Sequence, residues 1–311
     1  MALSRSSGDI LADRRHAYAM GAKADGDLAA SADLLRQALE ITPSWADGWF
    51  DLGEIELARG EAALASECFR RALALAPDDA RGAGLHLARL EARNDVVASP
   101  AYVATLFDDY APRFDKALRE GLSYRGPELL VAALDRLAPG RHFARTLDLG
   151  CGTGLMAEAL EGRTDILIGV DLSPRMIEIA RAKALYTALE VADLTEFLRN
   201  QPPSQADLVL AADVMVYVRD LAPVVQAISR ALKPGGLVAF TLQEHAGEGV
   251  KLGADLRFAH ARSEVIKAFE ANEISLRLIE SASTRQERGA PVPGLIVLGE
   301  CDETLRSLSS T

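Results

Sequence analysis

Two textures of apolar and polar positions run along the chain. The first hundred or so residues read as paired Ala-rich helices. From residue 140, short apolar runs alternate with amphipathic segments. Thr146–Leu149, Ile166–Val170, Leu208–Ala211 and Leu237–Leu242 predict strands, with a weaker one at Leu189–Ala192. Leu155–Glu161, Pro174–Lys183 and Leu221–Leu232 predict the helices between them. Strands alternating with helices predict an α/β, doubly wound, mostly parallel sheet. Ile274–Ala282 and Leu295–Leu298 have no helix between them, only GAPVPG, which predicts an antiparallel hairpin at one sheet edge.

The helical part carries a repeat. Residues 12–45 and 46–79 align at an offset of 34: Gly26 falls on Gly60, Asp27 on Glu61, Leu35 on Phe69, Arg36 on Arg70, Ala38 on Ala72, Leu39 on Leu73 and Pro43 on Pro77. Trp49, Leu52, Gly53, Ala65, Phe69, Ala72 and Pro77 of the second copy resemble the signature of the tetratricopeptide repeat (TPR). In physical terms, Gly53 and Ala65 let two antiparallel helices approach, Trp49 and Phe69 fill the space between them, and Pro77 stops the second helix. A generic helical bundle is the bland alternative. A third copy starts at 81–93 and drifts, because its proline is Pro112, one residue late. Ser99-Pro100 reads as an N-cap with proline at the first helical position. Residues 80–110 are expected to be a seam, where one end of the stack packs on the next domain. The division expected is a helical domain at 1–98 and an α/β domain at 99–311.

The sharpest local signal is LDLGCGTG, residues 147–154, between a strand and a helix. Its glycines allow a tight turn and a close approach of ligand to backbone. The spacing is GxGxG; a dinucleotide fingerprint needs glycine at position 155, which is leucine. No Walker-type loop is present. Asp148, Asp171, Asp193 and the pair Ala212-Asp213 all fall at predicted strand ends, where ligands of open α/β sheets sit. Asp171 can accept from both hydroxyls of a ribose, and Asp193 from the amine of adenine. The alternatives are helix capping for Asp171 and a helix-terminal charge for Asp193.

Composition narrows the partners. Hydrophobic residues make up 49% and charged residues 25%, which excludes disorder over the whole chain. The net charge, 34 − 45 = −11, argues against nucleic acid or an anionic membrane as partner. Cys68, Cys151 and Cys301 form no CxxC pair and no metal-like spacing with histidine, so neither a disulfide framework nor a metal site is expected. The expectation is a cytoplasmic protein without a signal peptide or membrane span.

DLGCGTG, GVDLSPRM, VADL, DLVLAADV and ALKPGGLVAF, in this order, resemble a class I S-adenosylmethionine-dependent methyltransferase over roughly residues 100–300. FDDYAPRFDKAL, SYRGPELL and FAHARSEV are similar to the group of these enzymes that carries N-terminal TPR repeats. The resemblance implies a Rossmann-like, seven-stranded sheet and S-adenosylmethionine as cofactor. It places Gly150 and Gly152 along the methionine part of the cofactor and Asp171 on the ribose, with Asp148 and Cys151 among the cofactor-binding residues. Leu172 and Met176 then pack near the adenine, Asp193 and Leu194 read its edge, and Ala212 offers a carbonyl. Tyr110 and Arg125 cover or clamp the amino-acid end. Cys151 has no base beside it in sequence, which argues against a nucleophile.

The acceptor side is expected from loops after the fourth and fifth strands. Residues 243–265 are glycine-rich and polar and read as a lid holding His245 and His260. His260 is the first candidate for a base or acceptor contact, against a structural hydrogen bond that fixes the lid. Tyr217, just after the fourth strand, is the second. The function expected is methyl transfer to a small-molecule or protein acceptor, with a peptide or protein partner on the repeats. The alternative is a TPR interaction scaffold whose second domain binds the cofactor without significant catalysis. An NAD-dependent enzyme is disfavoured by the loop spacing.

Overall fold

The computed structural model describes residues 6–302, in two compact units that divide between Asp109 and Tyr110. The first unit is all helical: α1 (Ile10–Ala24), α2 (Leu28–Ile41), α3 (Ala46–Ala58), α4 (Ala62–Leu75), α5 (Ala83–Leu90) and α6 (Pro100–Tyr110). The repeat register is visible in its turns. Gly26 and Gly60 occupy equivalent positions and share a φ of +83°, the left-handed conformation that glycine adopts without a Cβ clash. Asp9 caps α1 by accepting from Leu11 and Ala12 N–H, and Asp27 caps α2 by accepting from Ala30 N–H. A Cβ on Gly53 would stand 2.7 Å from the Phe69 ring, so α3 and α4 touch through this missing side chain. Phe69 is wholly buried, whereas Trp49 is half-buried and donates Nε1–H to the Pro43 carbonyl at 2.8 Å. The third copy keeps its first helix, α5. Ser99 accepts from Tyr102 N–H at 3.0 Å and starts α6 as an N-cap, as its sequence predicts.

The second unit opens with a tightly wound stretch. A 3₁₀ turn (Ala111–Arg113), α7 (Phe114–Lys116) and a π-helical turn (Ala117–Gly121) lead to α8 (Gly126–Leu137). Then strands and helices alternate: β1 (Phe143–Leu149), α9 (Leu155–Ala159), β2 (Thr164–Asp171), α10 (Pro174–Ala182), β3 (Ala188–Val191), α11 (Leu194–Asn200), β4 (Ala206–Ala211), α12 (Leu221–Ala231) and β5 (Leu232–Glu244). Two short strands, β6 (Val250–Leu252) and β7 (Phe258–His260), precede α13 (Arg262–Glu270). β8 (Ile274–Ser281), a small hairpin of β9 (Gln286–Glu287) and β10 (Ala290–Pro291), and β11 (Gly294–Cys301) follow.

The main sheet runs β3-β2-β1-β4-β5-β11-β8. The first five strands are parallel; β11 is antiparallel to both β5 and β8. The central strands are near-continuous apolar runs because both faces are covered. Val238, Phe240 and Leu242 of β5 join Phe197, Val225, Ile228 and Phe269 on one face. Leu237 and Ala239 join Leu130, Leu134 and Met156 on the other.

The lid reading of 243–265 needs correction. β7 pairs in parallel with the end of β5 and antiparallel with β6, so this segment is an annex of the sheet. Phe258 and His260, two residues apart on one strand face, are both wholly buried. The polar composition of 243–257 concealed that inward face.

Candidate functional site

The glycine loop lies between β1 and α9, with Gly150, Gly152 and Gly154 at φ values of +63°, +53° and +93°. Their missing side chains serve different ends. A Cβ on Gly150 would collide with Val214, and one on Gly154 would stand 3.1 Å from the Tyr186 ring. A Cβ on Gly152 would meet nothing nearer than the Phe114 ring, at 3.7 Å. Gly152 is therefore the glycine that leaves room for a ligand. A Gly152→Val substitution should fill that room, weakening cofactor affinity at least tenfold while the far-ultraviolet dichroism stays native; calorimetry on the variant checks this.

Asp171 ends β2 beside that opening. Its Oδ2 accepts from Gly152 N–H at 2.9 Å and its Oδ1 from Ser173 N–H at 2.8 Å. The cap of α10 is Ser173, whose hydroxyl accepts from Met176 N–H at 3.1 Å, so capping is not the task of Asp171. A carboxylate at a strand end beside a glycine loop suits the paired hydroxyls of a ribose. Asp193 does cap: its Oδ1 accepts from Thr195 and Glu196 N–H at the start of α11. Leu172, Leu194 and Ala212 are half-buried at the strand ends.

Met176 is wholly buried, as are Ile177 and Ala180 of α10. Cys151 is also buried; burial first, then Asp148 and Asp171, push its thiol well above the usual range. That keeps it neutral and excludes a nucleophilic thiolate.

Asp148 is 1% exposed and accepts from the Tyr186 hydroxyl at 2.6 Å. Burial pushes its carboxyl up to about 7, opposed by the Tyr186 hydrogen bond. The sign of the linkage follows. A buried acid with a raised folded pKa adds stability at low pH, and this is lost as pH rises from the ordinary carboxylate range through about 7. The unliganded native chain should lose urea resistance between pH 5 and 8 relative to Asp148→Asn; parallel curves for the two would refute this. Tyr186 was missed in the sequence. It lies in the loop before β3, and its ring packs where Cβ atoms on Gly154 and Gly169 would stand.

Among the residues expected at the amino-acid end, Tyr110 is half-buried, edge-on to Phe114, with the Arg113 guanidinium 5.3 Å from its ring centre. Phe114 is the ring nearest Gly152. Asp115 accepts from the Thr153 hydroxyl and, at 2.8 Å, from Lys183, tying α7 to the glycine loop. Arg125 is exposed, with its N–H bonded to the Thr284 carbonyl at 2.8 Å.

The acceptor side differs from expectation. His260 has no exposed surface; its Nε2 lies 3.2 Å from the Arg219 carbonyl and its Nδ1 is buried without a partner. Burial pushes its pKa down and holds the ring neutral, which matches the structural hydrogen bond rather than proton transfer with an acceptor. His245 closes its own loop, with Nε2 3.0 Å from the Gly249 carbonyl. Tyr217 is half-buried and its hydroxyl accepts from Arg257 Nε at 3.1 Å.

Around Tyr217 stands a polar array that the sequence did not reveal. Arg257 Nη1 donates to Glu287 Oε1 at 3.0 Å, Arg285 Nε to the same oxygen at 2.9 Å, and Arg285 Nη1 to Asp213 Oδ2 at 2.7 Å. Asp213 lies just beyond β4, at a φ of +61°. Among the described residues no cluster of His, Cys, Asp and Glu could hold a metal ion, and no helix is long and apolar enough to cross a membrane.

Comparison with known proteins agrees with this geometry. Residues 147–240 match the model of a methyltransferase domain, and residues 46–79 that of a tetratricopeptide repeat. A ubiquinone biosynthesis O-methyltransferase of Paracidovorax citrulli is 33% identical over 157 residues, covering 46% of this chain and 65% of that protein. Methyltransferase-like protein 27 of Homo sapiens is 34% identical over 142 residues, covering 45% and 57%. The chain thus spans less than two thirds of the length of these relatives. Among solved structures, the [4+2]-cyclase SpnF shares the fold, with a TM-score of 0.55 at 17% identity over 66% of this chain and 98% of that one.

Proposed function

We propose that this chain, a tetratricopeptide-repeat protein with an S-adenosylmethionine-dependent methyltransferase domain, transfers methyl to a hydroxyl oxygen of a small-molecule acceptor. The observation that carries the reading is the bond between Asp171 and Gly152 N–H. It sets a half-buried carboxylate beside Gly152, the loop glycine around which most space is left. These residues fit the nucleoside and methionine parts of the cofactor.

Asp171 would hold the ribose, and Gly152 would leave backbone space for the methionine chain beneath Phe114. Asp193 would use its remaining oxygen at the adenine, beside Leu172 and Leu194. Tyr110 and Arg125 would cover the amino-acid end. When bound, S-adenosylmethionine supplies a methyl made electrophilic by its sulfonium. The chain's own part is to align an acceptor and exclude water, and placement alone can account for much of the rate.

The oxygen acceptor is supported by the relatives named O-methyltransferases and by Asp213, a carboxylate beside the glycine loop that suits a hydroxyl hydrogen. The helical repeats would recruit a peptide or protein partner. The net charge of −11 disfavours nucleic acid and anionic membranes as partners.

The test has two arms. Calorimetric titration with S-adenosylhomocysteine should show saturable binding, and absence of binding would sink the cofactor reading. Transfer of labelled methyl from the cofactor into the small-molecule fraction of a cell extract tests the acceptor; label found only in protein would overturn that half.

A further inference from the structure

We infer that Asp213 takes the proton of the acceptor hydroxyl, and that Arg285 and Thr284 are positioning residues that hold its carboxylate for that purpose. The inference rests on the oxygen-acceptor reading above.

Asp213 stands where the acceptor must come. β4 ends at Ala211, and the crevice at the carboxyl ends of the strands opens there. The next residue, Val214, presses on Gly150, so this turn abuts the glycine loop. The backbone of Asp213 takes a left-handed conformation, at a φ of +61°. It is held by N–H donation to the Thr241 hydroxyl at 2.8 Å.

The carboxylate is fixed at both oxygens. Thr284 donates to Oδ1 at 3.1 Å and Arg285 to Oδ2 at 2.7 Å. The pair is lopsided: the Arg285 side chain is 1% exposed and that of Asp213 is 21% exposed. Arg285 also leaves Nη2 buried without a partner. A buried guanidinium with an unmade hydrogen bond is a poor way to stabilise a fold. As backing for a carboxylate it has a clear use, because it holds the Asp213 side chain in one rotamer while part of that side chain stays exposed. Glu287 and Arg257 extend the array to Tyr217.

The carboxylate selects its partner. An acceptor carboxylate would be repelled by Asp213, whereas a hydroxyl donates to it. As the acceptor oxygen bonds to the methyl carbon, the carbon–sulfur bond breaks and its electron pair stays on sulfur. The hydroxyl proton passes to a carboxylate oxygen of Asp213 and from its exposed side to water.

Two catechols separate this role from a structural one. 4-Nitrocatechol loses a proton readily without help, and 4-methylcatechol does not. With S-adenosylhomocysteine bound, the native chain should bind 4-nitrocatechol saturably, read as a change in its visible absorbance. Asp213→Asn should keep its S-adenosylhomocysteine affinity and transfer methyl to 4-methylcatechol about 100-fold more slowly. With 4-nitrocatechol its rate should fall less than about tenfold. Asp213→Glu should return part of the 4-methylcatechol rate. Equal losses on both catechols, or a native chain that binds S-adenosylhomocysteine but no catechol, would overturn the inference. A native chain that binds no S-adenosylhomocysteine would instead fail the function reading itself.

Discussion

Asp171→Ala is expected to remove measurable S-adenosylhomocysteine binding while leaving the domain folded. The carboxylate makes two backbone hydrogen bonds, to Gly152 and Ser173, and holds the glycine loop against the end of β2. Truncation takes away the proposed ribose acceptor and the hydrogen bonds that hold the loop at the same time. Charge-assisted hydrogen bonds are worth roughly 1.5–3 kcal/mol each. Losing two to the ribose is a factor of at least about 100 in affinity before loop disorder is counted. The fold should survive because Asp171 is half-buried and α10 keeps its own cap, Ser173. Calorimetry beside a thermal melt reads both quantities. Unchanged affinity would remove Asp171 from the site, and a collapsed melt would show the loop to be structural.

Phe69→Ala should produce the largest loss of stability in the helical unit. The ring is fully buried, stacked on His86 at 4.6 Å between centres, edge-on to Phe50 at 5.4 Å, and seated over Gly53. Removing a buried phenylalanine costs about 3–5 kcal/mol, part of it from the cavity left behind. The chain has two tryptophans, Trp45 and Trp49, and both lie on or beside α3. Tryptophan emission therefore reports this unit alone. The urea midpoint by fluorescence should fall while S-adenosylhomocysteine affinity is unchanged. A midpoint within about 0.5 kcal/mol of the native value would mean the hairpin closes without this ring.

The sheet was legible because its central strands are buried on both faces and read as apolar runs, and the glycine loop because positive φ demands glycine. The repeats were legible because Gly26 and Gly60 make the same turn. The acceptor side was not legible, for a physical reason. Asp213 meets Arg285 across seventy-two positions of sequence, and neither residue type is unusual in a loop. His260 misled because a histidine on a three-residue buried strand looks, in sequence, like one on a polar loop. Tyr186 left no signal beyond Gly154 and Gly169, which were credited to the ligand and the strand.

The position of β11 bears on how the chain is made. The helices pair with their sequence neighbours, so the repeats can form as they leave the ribosome. β11 lies between β5 and β8 and reaches β5 across some fifty residues. While Gly294–Cys301 is still unsynthesised, β5 waits with one edge bare, and that edge is among the most apolar stretches of the molecule. Vectorial synthesis thus leaves a sticky intermediate whose lifetime is set by translation rate. Slowing translation downstream of β8 should raise aggregation without altering a single contact of the finished protein.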